Sequence, residues 1–151
     1  MAAAVIGGVV ALRAQSSAPC ACQIPNGPPN PHPYLVGYLG VYKSLDWSAV
    51  AKTLDFTRMT HLNLAFVNPP LCEGTCTAKS DLTLAANASL TDDALKAIVD
   101  AAHAHGTKVL ISIGGDGGDR RIMQFYNAGL SAELTAAIDA YLDAHDIHGV
   151  D

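Results

Sequence analysis

From residue 34 onward the chain alternates short apolar runs suited to strands with longer segments of helical period, and this alternation constrains its fold more than any other feature. Residues 35–41 are apolar and aromatic enough for a buried strand. Residues 46–54 follow as a short helix with Asp46 placed to cap it. Residues 61–67 predict a second strand, closed by Asn68-Pro69-Pro70 because proline neither donates to a ladder nor continues a helix. A long loop leads to the strongest helical pattern, in which Leu95, Ile98, Val99 and Ala102 recur at i, i+3, i+4 and i+7. Thr91 or Asp92 caps it and Gly106 stops it. Residues 108–113 predict the third strand. After a glycine-rich turn and a short helix near 120–126, Ser131 caps a helix carrying Leu134, Ile138, Tyr141 and Leu142 on one face, and a fourth strand starts at Ile147.

Four strands separated by helices imply an α/β fold with a parallel sheet and right-handed crossovers, since parallel neighbours cannot be joined by a tight hairpin. Two architectures accommodate the pattern: an open doubly wound sheet, or the first half of a (β/α)8 TIM barrel. Residues 34–151 make up about half of the ~250 residues of a complete barrel. The fourth strand reaches Asp151, and an acidic side chain at the C-terminal end of a strand is where such folds place their chemistry. A strand that stops there leads us to expect the front portion of a longer protein, a barrel truncated at strand 4.

The residues before 34 read differently. Residues 2–12 form an uninterrupted run of small and apolar side chains, the length of a signal-peptide core and too short to span a bilayer, so 1–18 is expected to be a leader for secretion. Residues 19–33 are expected to be a linker, with five prolines at 25–33 favouring extended backbone. The chain carries a net charge of −5 and no Lys/Arg cluster, which argues against nucleic acid or an anionic membrane as partner. The cysteines fall in two pairs. Cys72 and Cys76 are a candidate disulfide around Gly74 in an exported protein, whereas a zinc site built from all four would need Cys20 and Cys22 to fold back from the leader. No other metal set and no cofactor is expected. The run 114–119 fails as a phosphate loop: its glycine spacing is wrong, and Asp116 and Asp119 would repel the anion. Asn87-Ala88-Ser89 has the form of a glycosylation sequon.

The strand ends carry a combination more specific than any one motif: Gly37-Tyr38 in strand one, Asn63-x-Ala65-Phe66 in strand two, Ser112-Ile113-Gly114-Gly115 at the end of strand three and Gly149-Val150-Asp151 in strand four. Together these resemble glycoside hydrolase family 18, the chitinase-type (β/α)8 barrels, over everything after the linker. Ser112, Gly114 and Gly115 match the family's Ser-x-Gly-Gly, and Gly149 and Asp151 match the second and fourth positions of its Asp-Gly-x-Asp-x-Asp-x-Glu. His148 stands where that pattern has its first aspartate, and the sixth-position aspartate and eighth-position glutamate would follow residue 151.

The resemblance implies hydrolysis of β-linked N-acetylglucosamine polymers such as chitin, or of related glycans, by retaining, substrate-assisted catalysis. The glutamate is the acid that protonates the glycosidic oxygen; the aspartate before it orients the substrate's N-acetyl group, whose carbonyl attacks the anomeric carbon. Asp151 would share a proton with that aspartate while Tyr38 and Ser112 hydroxyls stabilise the charge that remains. Phe66, Gly114 and Gly115 are implied substrate contacts. Without that acid, residues 1–151 by themselves are expected to be inactive. A non-catalytic glycan-binding relative on the same barrel is the main alternative, and an unrelated doubly wound domain binding a small ligand is a second.

Each residue also has a plainer reading: Ser112 as a small packing residue, Tyr38 and Phe66 as ordinary core, His148 as a contact to a helix. Parity places Val36 and Tyr38 on one face of strand one, Leu110 and Ser112 on one face of strand three, and Ile147, Gly149 and Asp151 on one face of strand four. If these are the barrel's interior faces, the Tyr38 and Ser112 hydroxyls should approach Asp151 with Ser112 the nearer, His148 should point outward, and Val36, Leu110 and Ile147 should meet water.

Overall fold

The computed structural model describes residues 34–77, 82, 84–86 and 89–151. The expected leader, linker, Cys20 and Cys22, and the sequon at Asn87 lie outside the described residues. The elements run β1 (Val36–Gly40), α1 (Trp47–Thr53), a 3₁₀ turn (Phe56–Arg58), β2 (His61–Ala65), α2 (Asp92–Ala104), β3 (Lys108–Ser112), α3 (Gly118–Asn127), α4 (Ser131–Ala144) and β4 (Gly149–Val150).

All pairings are parallel and the strands lie in the order β1-β2-β3-β4. A doubly wound sheet reverses direction at a switch point, so its strand order is not that of the chain. Monotonic order is the arc of a barrel, and the fold is that of the first half of a (β/α)8 TIM barrel. Register aligns Tyr38 with Asn63, Asn63 with Leu110, and Leu110 with Gly149.

Alternation divides the sheet into two unlike faces. Leu62, Leu64, Val109 and Ile111 are buried beneath the helices with Trp47, Phe56, Leu95, Ile98, Val99 and Ala102. Each buried Leu, Ile, Val or Phe side chain contributes about 1.5–3 kcal/mol on full burial, and the α2 stripe supplies three of them, Leu95, Ile98 and Val99, with the smaller Ala102 beside them. The opposite face is open: Val36 and Tyr38 are exposed, and Leu110 is half-buried. Buried Thr107 joins the layers, its hydroxyl lying within hydrogen-bond reach of the carbonyls of Phe56 (3.1 Å) and Met59 (2.8 Å), between which its one proton is shared.

Local chemistry accounts for most boundaries. Asp46 accepts from the Ala49 amide and Thr91 from the Ala94 amide, so both expected caps form. Gly106, just past α2, has φ +72°, a conformation open to glycine at little steric cost. Two expectations are corrected. Ser131 does not cap α4: the cap position is Leu130, whose carbonyl accepts from the Leu134 amide. The turn at Gly129 (φ +73°) and the packing of Leu130 beside Phe125 and Leu134 start the helix one residue earlier than the serine suggests. Ile147 is not in the fourth strand and does not meet water. Its amide still bonds the Leu142 carbonyl at the exit of α4, and its side chain is buried in the helix-covered core, so strand alternation begins only at Gly149.

Candidate active site

Asp151 follows the last ladder residue, and its amide donates to the Ile111 carbonyl at 2.8 Å, which continues the strand direction and turns its carboxylate toward the open face. There Ser112 donates to Oδ2 at 2.7 Å and Tyr38 donates to the same oxygen at 2.9 Å. Three strands thus deliver three side chains separated by up to 113 residues in sequence to one point. Tyr38 is exposed along most of its ring, while Ser112 is buried at 3%. The serine's neighbourhood is held further by the Val67 amide, which donates to the Ser112 carbonyl at 3.0 Å.

The donors set the electrostatics. The Ser112 hydroxyl, followed by that of Tyr38, holds the Asp151 carboxyl below the ordinary carboxylate range, and together they outweigh desolvation, which acts the other way. Asn63 makes a smaller contribution in the same direction. Asn63, which in the sequence stands out only as part of a motif, is 3% exposed and lines the open face together with Tyr38 and Asp151. Its Oδ1 has no partner among the described residues. A carboxamide at the centre of a buried strand is rare unless its hydrogen bonds are answered, and that was the available signal.

The other expected contacts lie beyond the ends of β2 and β3, at a cleft of about 580 Å³ lined by Phe66, Tyr42, Asn68, Gly114, Asp116 and Arg121 among others. Gly115 sits under Phe66: a methyl group added there would come within 2.6 Å of the ring, and φ is +75°. The Ala65–Phe66 peptide is cis. His148 is on the outward side, its ring meeting that of His103 in α2 edge-on at 4.8 Å. Desolvation, followed by the neighbouring His103, pushes its pKa down. It takes no part in the Asp151 cluster.

Cys72 and Cys76 form a disulfide with Cα atoms 5.4 Å apart. The Gln124 side chain from α3 accepts from the Cys72 amide (3.2 Å) and donates to the Cys72 carbonyl (3.1 Å). Among the described residues no group of three or more His, Cys, Asp or Glu side chains is placed to hold a metal. Nor is any helix among them long and apolar enough to cross a membrane.

No protein-family model and no curated protein matches the chain. Solved structures do. A chitinase from Bacteroides thetaiotaomicron is 22% identical with a TM-score of 0.53, the match covering 78% of this chain and 34% of that one. A GH18 chitinase from Pseudoalteromonas aurantia is 21% identical with a TM-score of 0.51, over 79% of this chain and 40% of that one. The chain therefore spans between a third and two fifths of the length of these chitinases. Identity at this level speaks for the fold, and by fold the described residues are chitinase-like, the first half of a TIM barrel.

Proposed function

We propose that this chain is the front part of a secreted glycoside hydrolase that acts on β-linked N-acetylglucosamine polymers or glycans. The observation that carries the reading is the convergence of the Ser112 and Tyr38 hydroxyls on one oxygen of Asp151. A carboxylate so held is suited to staying ionised beside a second acid, because the donors stabilise its charge while the neighbouring carboxyl carries the shared proton. The aspartate and glutamate that the family pattern places two and four residues further on would orient the N-acetyl group and protonate the glycosidic oxygen. Asp151 would act as the proton-sharing partner rather than as the acid. Phe66, packed over Gly115, offers an apolar wall to a sugar ring, and Gly114, where an added Cβ would meet nothing within 4 Å, leaves room beside it.

The test is steady-state hydrolysis of N-acetylglucosamine oligomers by the full encoded protein and its Asp151→Asn variant. Removing the proton-sharing group should lower kcat by about 100-fold and change KM by less than about threefold, since it alters proton placement and not substrate contact. Unchanged kcat in the variant would overturn the assignment of Asp151. Tight oligomer binding without turnover by the unsubstituted protein would replace hydrolysis by glycan binding on the same barrel.

A further inference from the structure

The turn between β3 and α3 is closed over residues 115–118 by one backbone hydrogen bond, from the Gly118 amide to the Gly115 carbonyl at 3.0 Å. Gly114, Gly115 and Gly117 have φ of +113°, +75° and +74°, and glycine reaches such values about as readily as negative ones. The internal bond spans 115–118 and leaves the entry at Gly114 to be set from outside the turn. Asn68 is placed to do so: its Oδ1 accepts from the Gly114 amide at 2.8 Å and its Nδ2 donates to the Gly114 carbonyl at 3.0 Å. One carboxamide thereby answers both backbone groups of a single residue, as a neighbouring strand would.

Asn68 can do this because its own backbone is fixed. It exchanges two hydrogen bonds of 3.1 Å with Ala85, one in each direction, and the preceding residue, Val67, donates to the Ser112 carbonyl at 3.0 Å. Its side chain also fills the space over Gly118, where an added methyl would meet the carboxamide at 3.2 Å. Two other side chains tie the same two loops together, Arg121 donating to the Pro69 carbonyl at 3.1 Å and Gln124 bonding Cys72. Both lie within α3, so they dock the helix and do not reach the entry of the turn at Gly114. Asp116 stands in that turn, between Gly115 and Gly117, and lines the cleft with Arg121.

We propose that Asn68 is the positioning residue of the cleft: its clamp on Gly114 sets the turn that carries Asp116 into the cleft wall and lays Gly115 against Phe66. This rests on the reading of the cleft as a glycan site, but the clamp itself can be tested without a ligand. Asn68→Asp keeps the acceptor for the Gly114 amide and replaces the donor by an oxygen that repels the Gly114 carbonyl. Protonating the introduced carboxyl restores one donor and one acceptor, so lowering pH should restore the clamp. The Gly114 carbonyl favours the protonated form of the introduced group and the Gly114 amide the ionised one, so around the ordinary aspartate value of about 3.9 a substantial protonated fraction is present at pH 4. Asp116, Arg121 and Tyr42 face the same cleft in both proteins, so the unsubstituted protein at each pH is the reference.

The experiment measures Gly114 amide exchange and the Kd for N-acetylglucosamine oligomers in the full encoded protein at pH 7 and pH 4, for the natural sequence, Asn68→Asp and Asn68→Ala. At pH 7 both variants should lose Gly114 protection and bind about tenfold more weakly, with core amides such as Leu64 and Val109 unaffected. At pH 4 only Asn68→Asp should recover. Retained Gly114 protection in the alanine variant overturns the clamp, and lost protection with unchanged oligomer affinity overturns its positioning role. An aspartate variant that stays as impaired as alanine at pH 4 shows that bulk, and not the pair of hydrogen bonds, was needed, and also overturns the proposal. Failure of the natural protein to bind any oligomer refutes the glycan reading, while exchange at Gly114 with its recovery in acid still decides the clamp.

Discussion

Gly115→Ala should destabilise the protein more than Gly106→Ala, and the difference measures one contact. The two glycines have nearly the same φ, +75° and +72°, so the backbone cost of adding a Cβ is about the same at both, roughly 1–2 kcal/mol. At Gly106 no atom lies within 4 Å of the added methyl, whereas at Gly115 three atoms of the Phe66 ring lie at 2.6–2.7 Å. Relieving that overlap moves a rigid ring or the turn, and overpacking of this kind costs about 1–3 kcal/mol. Gly106→Ala is therefore expected at about 1–2 kcal/mol and Gly115→Ala at about 2–5 kcal/mol. Equilibrium urea unfolding of the full encoded protein gives both values, with unchanged m as the check that only stability moved. Gly115→Ala in a Phe66→Leu background should cost less than in the natural sequence, because the smaller side chain leaves room; the cycle isolates the pair. Oligomer binding should weaken for Gly115→Ala and hold for Gly106→Ala, whose site precedes β3 at the other end of the strand. Equal destabilisation by the two alanines, within about 0.5 kcal/mol, would refute the Phe66 contact.

Carboxyl NMR should find Asp151 titrating below the ordinary aspartate range, with Ser112→Ala raising its pKa more than Tyr38→Phe, in the order of their influence. Since the folded value lies below the unfolded one, the group stabilises the fold above about pH 3.9, and that contribution is lost as pH falls through the folded value. In oxidised protein Cys72 and Cys76 should resist alkylation until reductant is added. Closing a loop of about five residues is worth about 2 kcal/mol on the chain-entropy estimate, so reduction should lower the stability by no more than that. Rapid labelling of both cysteines without reductant would remove the disulfide.

Much of the fold was legible in the chain because short-range patterns determine it. Apolar spacing marked α2, Asp46 and Thr91 marked helix starts, and Gly106 marked an end, since each acts through neighbours a few residues away. Parity alone also placed Tyr38 with Val36, Ser112 with Leu110 and Asp151 with Gly149 on one face of their own strands, because side-chain alternation is a property of any strand; that the three faces converge was implied by the resemblance. The expectation failed at Ile147, where the strand itself had not begun: the exit of α4 holds that residue's amide and the core takes its side chain.

What the amino-acid sequence determined by itself was the set of elements, their parallel pairing and the side of each strand on which a given residue stands. Tertiary structure alone decided which distant groups meet. Strand order made the sheet an arc rather than a doubly wound layer, and only the register of three strands put two hydroxyls on one oxygen of Asp151. Asn68 was visible merely as the residue before two prolines, and nothing within a few positions of it foretells a partner 46 residues away. Local sequence preference acts over a turn or a strand. A clamp between two loops exists only once the sheet beneath them has brought their ends together.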